Sequence, residues 1–118
     1  MKKNILIVDD NESIRVSLKM LLKKKYNPIV VTSGEEALDK LNKTPIDAVL
    51  LDYKMRGIDG LETLKRIRER DKQLVVIIIS VIDDIEIEKK AFQLGANGYL
   101  NKPYRKEDVL NTLHKNLL

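Results

Sequence analysis

Short, wholly apolar runs alternate along this chain with longer stretches in which apolar residues recur every three or four positions. Asn4–Val8 is almost entirely apolar and stops at a carboxylate pair. From Asn11 to Lys25, Ile14, Leu18, Leu21 and Leu22 fall at helical spacing. Ile29–Thr32 is rich in β-branched residues, Ala48–Leu51 is apolar throughout, and Leu74–Ile79 is the most strand-like run in the chain. Gly98–Leu100 predicts a short fifth strand. Between these runs, Ser33-Gly34-Glu35-Glu36 has the form of a capping box and opens a helix carrying Ala37, Leu38 and Leu41. Asp59 with Glu62 makes a second such pair ahead of Leu61, Leu64 and Ile67. A helix from about Asp83 to Leu94 meets Gly95, a natural residue just beyond a helix C-terminus. Arg105–Leu117 reads as the last amphipathic helix.

Five strands therefore alternate with five helices, in one domain over residues 1–118. Strands that are apolar on both faces imply a parallel sheet covered by helices on each side. Right-handed crossovers leave few topologies for such a sheet. Ligand sites in open α/β sheets lie outside the carboxyl ends of the strands, near the topological switch point.

Composition narrows the chemistry. With no cysteine, disulfides, Cys-ligated zinc and thiol chemistry are excluded, and a reducing cytoplasmic setting fits. Ile5–Val8, Ala48–Leu51 and Leu74–Ile79 are far shorter than the ~20 residues needed to span a membrane. The apolar run behind Met1-Lys2-Lys3-Asn4 stops at Asp9, too early for a signal peptide. Twenty-two basic against 18 acidic residues give a net charge of +4. The basic residues are spread over Lys23–Lys25, Lys65–Arg70 and Lys102–Lys106, on what read as solvated helix faces. One Phe and four Tyr offer little for base stacking, so direct nucleic-acid binding is not expected.

The strand ends carry the candidate chemistry. Asp9-Asp10 ends the first strand, Asp52 the third and Ser80 the fourth, and Lys102-Pro103 follows the fifth. A pair of carboxylates ~4 Å apart repels by about 4 kcal/mol at an effective dielectric of 20. Lys102 offsets one charge, and the remaining deficit of about two suits a divalent cation with oxygen ligands, Mg2+. Asp59, Asp83 and Asp84 read instead as helix caps or turn residues, and His114 as a surface residue. A metal-bound carboxylate facing a hydroxyl and a lysine is equipped for phosphoryl transfer with the carboxylate as nucleophile.

At these positions the chain resembles the receiver domain of a two-component response regulator. The resemblance rests on "ILIVDDN", "AVLLDYKMRGIDG", "VIIIS" and "GANGYLNKP", in that order and spacing, and covers essentially the whole chain. It implies a flavodoxin-like, doubly wound parallel sheet of five strands in the order 2-1-3-4-5, with two helices on one face and three on the other. It implies that Asp52 takes a phosphoryl group from a phosphohistidine on a sensor histidine kinase or a histidine phosphotransfer protein. Asp10, Asp52 and the backbone carbonyl of Lys54 would hold Mg2+ directly, and Asp9 largely through water. Lys102 would pair first with Asp52 and then with the phosphoryl oxygen, and the Lys102-Pro103 bond would be cis. Ser80 would move to the phosphoryl group and Tyr99 would swing inward. The fourth helix, fifth strand and fifth helix would then dock targets or a second copy. The resemblance implies no enzyme beyond the chain's own phosphotransfer and dephosphorylation, and a role in transcription regulation where an output domain is attached.

Several positions depart from the family's pattern. Val81 stands where a small residue is usual, and its branched side chain would hinder phosphoryl access or slow hydrolysis. Arg56 replaces a usual proline, with little expected effect. Lys54 and Ile82 occupy positions that tune phosphoryl lifetime, and an apolar Ile82 predicts slow autodephosphorylation. A haloacid-dehalogenase-type hydrolase would need a second carboxylate two residues after the first, where Lys54 stands. A flavodoxin would need a hydroxyl- and glycine-rich loop where Asp9-Asp10-Asn11-Glu12 stands. The remaining alternative is a receiver-like protein-binding module that signals without phosphorylation.

Overall fold

The computed structural model describes residues 1–81 and 84–118. The readings attached to Ile82 and Asp83 lie outside the described residues. Strands β1 (Asn4–Val8), β2 (Asn27–Val31), β3 (Ala48–Asp52), β4 (Val75–Ser80) and β5 (Gly98–Asn101) alternate with helices α1 (Glu12–Leu22), α2 (Gly34–Lys43), α3 (Gly60–Arg70), α4 (Ile85–Gln93) and α5 (Lys106–Asn116). All five strands are parallel, in the order β2-β1-β3-β4-β5.

The uniformly apolar runs are explained by burial on both faces of the sheet. Leu6, Val8, Val49, Leu51, Val76 and Ile78 point to one side and pack with Ala37, Leu38, Leu64, Ile67 and Ala91 of α2, α3 and α4. Their alternate neighbours Ile5, Ile7, Ala48, Leu50, Ile77 and Ile79 point to the other side, against Leu18, Leu22, Val109 and Leu113 of α1 and α5. The division of helices, three and two, follows from this alternation.

The starts of α1 to α4 are set by side-chain caps. Asn11, Ser33, Asp59 and Asp84 accept from the N–H of Ile14, Glu36, Glu62 and Glu86, respectively. The two expected capping boxes form only by half. Glu36 turns to the N–H (3.0 Å) and the hydroxyl of Thr32, and Glu62 turns to Arg66 at 2.9 Å. Several boundaries also shift from the sequence reading, and two of the shifts have a local cause. Helix α1 stops at Leu22, before Lys25, where the N–H of Lys25 turns to the Leu22 carbonyl three residues back at 3.1 Å and the Tyr26 ring that follows is buried. Strand β2 begins at Asn27 and so contains Pro28. It is an edge strand, and since the N–H of Asn27 donates inward to Lys3, the next position faces outward and loses no ladder bond to proline.

Candidate functional site

The sheet order puts the switch point between β1 and β3, whose neighbours leave in opposite directions, to β2 and to β4. Val8 is in register with Leu51, and Asp52 with Ile79. Asp9 and Asp10 just beyond β1 therefore meet Asp52 at the tip of β3. Ser80 ends β4 beside Asn101, and its carbonyl accepts from the N–H of Lys102 at 2.8 Å. These bonds aim Lys102 back across the strand ends.

Carboxylate oxygens of Asp9, Asp10 and Asp52 lie within 4.8 Å of one another. Lys102 Nζ donates to Asp52 Oδ1 at 2.9 Å and to Asp9 Oδ2 at 3.4 Å. Asp9, Asp52 and Ser80 are buried, while Asp10 and Lys102 are partly so. Burial pushes the Asp52 carboxyl above its ordinary range. Lys102 pulls it down, but the charges of Asp9 and Asp10 push it up again. Burial would lower the Lys102 ammonium, yet its hydrogen bond to Asp52 and the charges of Asp52 and Asp9 outweigh that and raise it. Burial leads the rise at Asp52, whereas the carboxylate partners lead the rise at Lys102.

The donor set fits a hard divalent cation. Three clustered carboxylates supply only oxygen ligands, and their charge exceeds what Lys102 balances. They line an open cleft of about 370 Å³ together with Asn11, Ile14, Lys54, Val81 and Lys102. Val81 stands on its rim, 62% exposed. Tyr99 lies in β5 with its ring packed against the core on the α2–α3–α4 face, and the Lys102-Pro103 bond is cis. His114 lies well away, in α5 beside Lys25 and Leu117. Among the described residues, no helix is long and apolar enough to cross a membrane.

Two further residues hold this cluster: Arg15, which the sequence reading missed, and Arg56, from which it expected little effect. Arg15 in α1 donates from Nη1 to the Asp9 carbonyl at 2.8 Å, fixing the turn that carries the acidic pair. The N–H of Arg56 donates to Asp10 Oδ2 at 3.1 Å, a bond that a proline at this position has no hydrogen to make. The absence of proline at position 56 was the one visible signal.

Comparisons with known proteins agree with this geometry. Residues 5–114 match the family model described as the response regulator receiver domain. Sporulation initiation phosphotransferase F of Bacillus subtilis is 35% identical over 118 residues, spanning 99% of this chain and 95% of that protein. The positive alginate biosynthesis regulatory protein of Pseudomonas aeruginosa is 40% identical over 95% of this chain but only 46% of its own length. The chain likewise spans about half of several other curated relatives. Among solved structures, the chemotaxis response regulator CheY4 of Vibrio cholerae superposes with a TM-score of 0.92 at 29% identity, covering 99% of this chain and 100% of that one. A CheY-like receiver domain protein from Methanospirillum hungatei gives 0.94 at 26% identity, covering 99% and 94%. With the five-stranded order, the acidic cleft and the match over residues 5–114 all in agreement, this chain belongs to the response regulator receiver domains.

Proposed function

We propose that Asp52 accepts a phosphoryl group from the phosphohistidine of a sensor histidine kinase or a histidine phosphotransfer protein. The carrying observation is a buried carboxylate at the tip of β3, held 2.9 Å from an ammonium and crowded by two further carboxylates. An Asp52 oxygen attacks phosphorus, the P–N bond to the donor imidazole breaks, and an acyl phosphate forms on Asp52. Asp52 needs no base, because it is already ionised when held by Lys102.

Mg2+ is the cofactor in this reading, held by Asp10, Asp52 and the Lys54 carbonyl, with Asp9 acting through water. When bound, it neutralises charge on the phosphoryl oxygens. Lys102 sits where it can pass from Asp52 to a phosphoryl oxygen, and Ser80, at the end of the neighbouring strand, supplies a hydroxyl. Phosphorylation replaces one negative charge by roughly two and adds acceptor oxygens, which favours the conformer with Ser80 drawn in. Tyr99 follows inward, and the α4–β5–α5 face changes toward an output partner, an attached output domain or a second copy. The chain is a regulator acting in the cytoplasm and catalyses only its own phosphotransfer and dephosphorylation. Where an output domain is attached, its control is of transcription.

Mass spectrometry after acetyl phosphate with Mg2+, or a beryllofluoride titration followed by NMR, tests this reading. An adduct on Asp52, absent in Asp52→Asn, is expected. No adduct, with Asp52→Asn behaving as wild type in partner binding, would leave a phosphorylation-independent binding module.

A further inference from the structure

The loop between β3 and α3 carries the Lys54 carbonyl, and its conformation is held by two carboxylates from outside it. At its base, the N–H of Gly60 donates to the Tyr53 carbonyl at 2.7 Å. Above that, the N–H of Arg56 donates to Asp10. Two residues on, the N–H of Ile58 donates to Glu35 Oε2 at 3.3 Å. Glu35 belongs to the first turn of α2 and lies outside the Asp9–Asp10–Asp52 cluster.

Gly57 sits between these two anchored N–H groups with φ at +80°, a region that side chains disfavour. A Cβ there would come within 2.8 and 2.9 Å of the two Glu35 oxygens, so the carboxylate rests directly on the glycine backbone. Helix α2 reaches this far because Gly34 packs close to Ile58, where a Cβ would meet the Ile58 side chain at 2.7 Å. Glycine at 34, glycine at 57 and a carboxylate at 35 thus form one fitted contact between α2 and the loop.

We infer that Glu35 is a positioning residue for the metal site. By fixing Ile58 it fixes the turn that presents the Arg56 N–H to Asp10 and sets Lys54 in the lining of the cleft. This rests on the reading of the cleft as a divalent-cation site. A group that orients metal ligands without touching the metal typically changes affinity by about ten- to a hundredfold when removed.

Two readouts separate the clamp from the metal reading. Amide hydrogen exchange without metal reports the clamp itself: Glu35→Ala should expose the N–H groups of Ile58 and Arg56 and leave those of β1 and β3 protected. Calorimetric titration with Mg2+ reports its consequence: Glu35→Ala should weaken binding by about tenfold. Glu35→Gln keeps an oxygen that can accept from Ile58 and should retain affinity within about threefold of wild type. Equal losses in the Gln and Ala variants would mean that Glu35 acts only by its charge, and would overturn the inference. Unchanged exchange at Ile58 and Arg56 in Glu35→Ala would overturn it as well. Wild-type protein that binds no Mg2+ while its exchange responds as expected would keep the clamp and defeat the metal reading.

Discussion

The acidic cleft and the cluster around Arg68 lie at opposite ends of the sheet, and they treat charge in opposite ways. Arg68, near the end of α3, donates to the Gly95 carbonyl from Nε at 3.0 Å and from Nη2 at 2.8 Å. It also donates to the Asp71 carbonyl at 3.0 Å and to the Asn97 side chain at 2.9 Å. Asn97 Oδ1 in turn accepts from the N–H of Val76 at the start of β4. One guanidinium thus ties the ends of α3 and α4 to the starts of β4 and β5, with each bond going to a neutral acceptor. Burial lowers its pKa, and nearby Asp71 offsets part of that. At the other end of β4, the Lys102 ammonium pairs with Asp9 and Asp52, and Asp10 crowds the same cluster without an ion pair to it. The first arrangement is complete as it stands and serves the fold. The second is satisfied only when something positive arrives, which is the mark of a binding site.

The largest effect expected from this contrast is all or none. Asp52→Asn should lose the acetyl phosphate adduct completely, whereas Arg68→Ala should keep it, as read by intact-mass spectrometry. An adduct that persists in Asp52→Asn would place the acceptor elsewhere in the cleft.

Next in size is the cost of opening the satisfied cluster. Arg68→Ala removes four hydrogen bonds from a charged donor, two of them to the Gly95 carbonyl just beyond α4, so a loss of about 2 kcal/mol in urea unfolding is expected. Arg68→Lys should recover less than half, because one ammonium cannot reproduce the planar fork. A Lys variant as stable as wild type would reduce the cluster to simple charge capping.

Most of the fold is legible in the chain because burial on both faces leaves the strands as unbroken apolar runs, and the four site residues Asp9, Asp10, Asp52 and Lys102 stand at or just beyond their ends. What escaped was decided by contacts between distant segments. The end of α1 depends on where Tyr26 is buried, and the start of β2 on Pro28 falling at a sheet edge. Both capping boxes could be read at their N-cap half, whereas the returning Glu36 and Glu62 had competing partners in Thr32 and Arg66. Arg15, Glu35 and the Arg56 N–H reach the site through the turn at Asp9 and the loop around Gly57, which no periodicity reports.

A smaller effect concerns whether the two regions are independent. Residues at the two ends of a six-residue strand lie roughly 17–20 Å apart. Mg2+ at ten times its dissociation constant should stabilise the wild type by about 1.4 kcal/mol. The same increment is expected in Arg68→Ala, since distant sites add to within about 0.5 kcal/mol. A larger shortfall would show that the order of the α4–β5 end is linked to the cleft.

The smallest effect is a pH-dependent gap between wild type and Asp52→Asn in metal-free buffer. The Asp52 carboxyl is raised in the folded protein, chiefly by burial and by its acidic neighbours. A raised carboxyl contributes stability that is present below its unfolded pKa and lost as pH rises through its folded one. Wild type should therefore be less stable than Asp52→Asn at pH 7, and the gap should close as pH falls toward the ordinary aspartate range. The raised Lys102 ammonium stays charged throughout that window, so it adds no slope to either protein. Saturating Mg2+ should reverse the order at pH 7, because the ion favours the ionised carboxylate that wild type alone provides. A gap that instead widens on acidification would mean the Asp52–Lys102 bond outweighs burial and repulsion, making the cleft as self-sufficient as the cluster around Arg68.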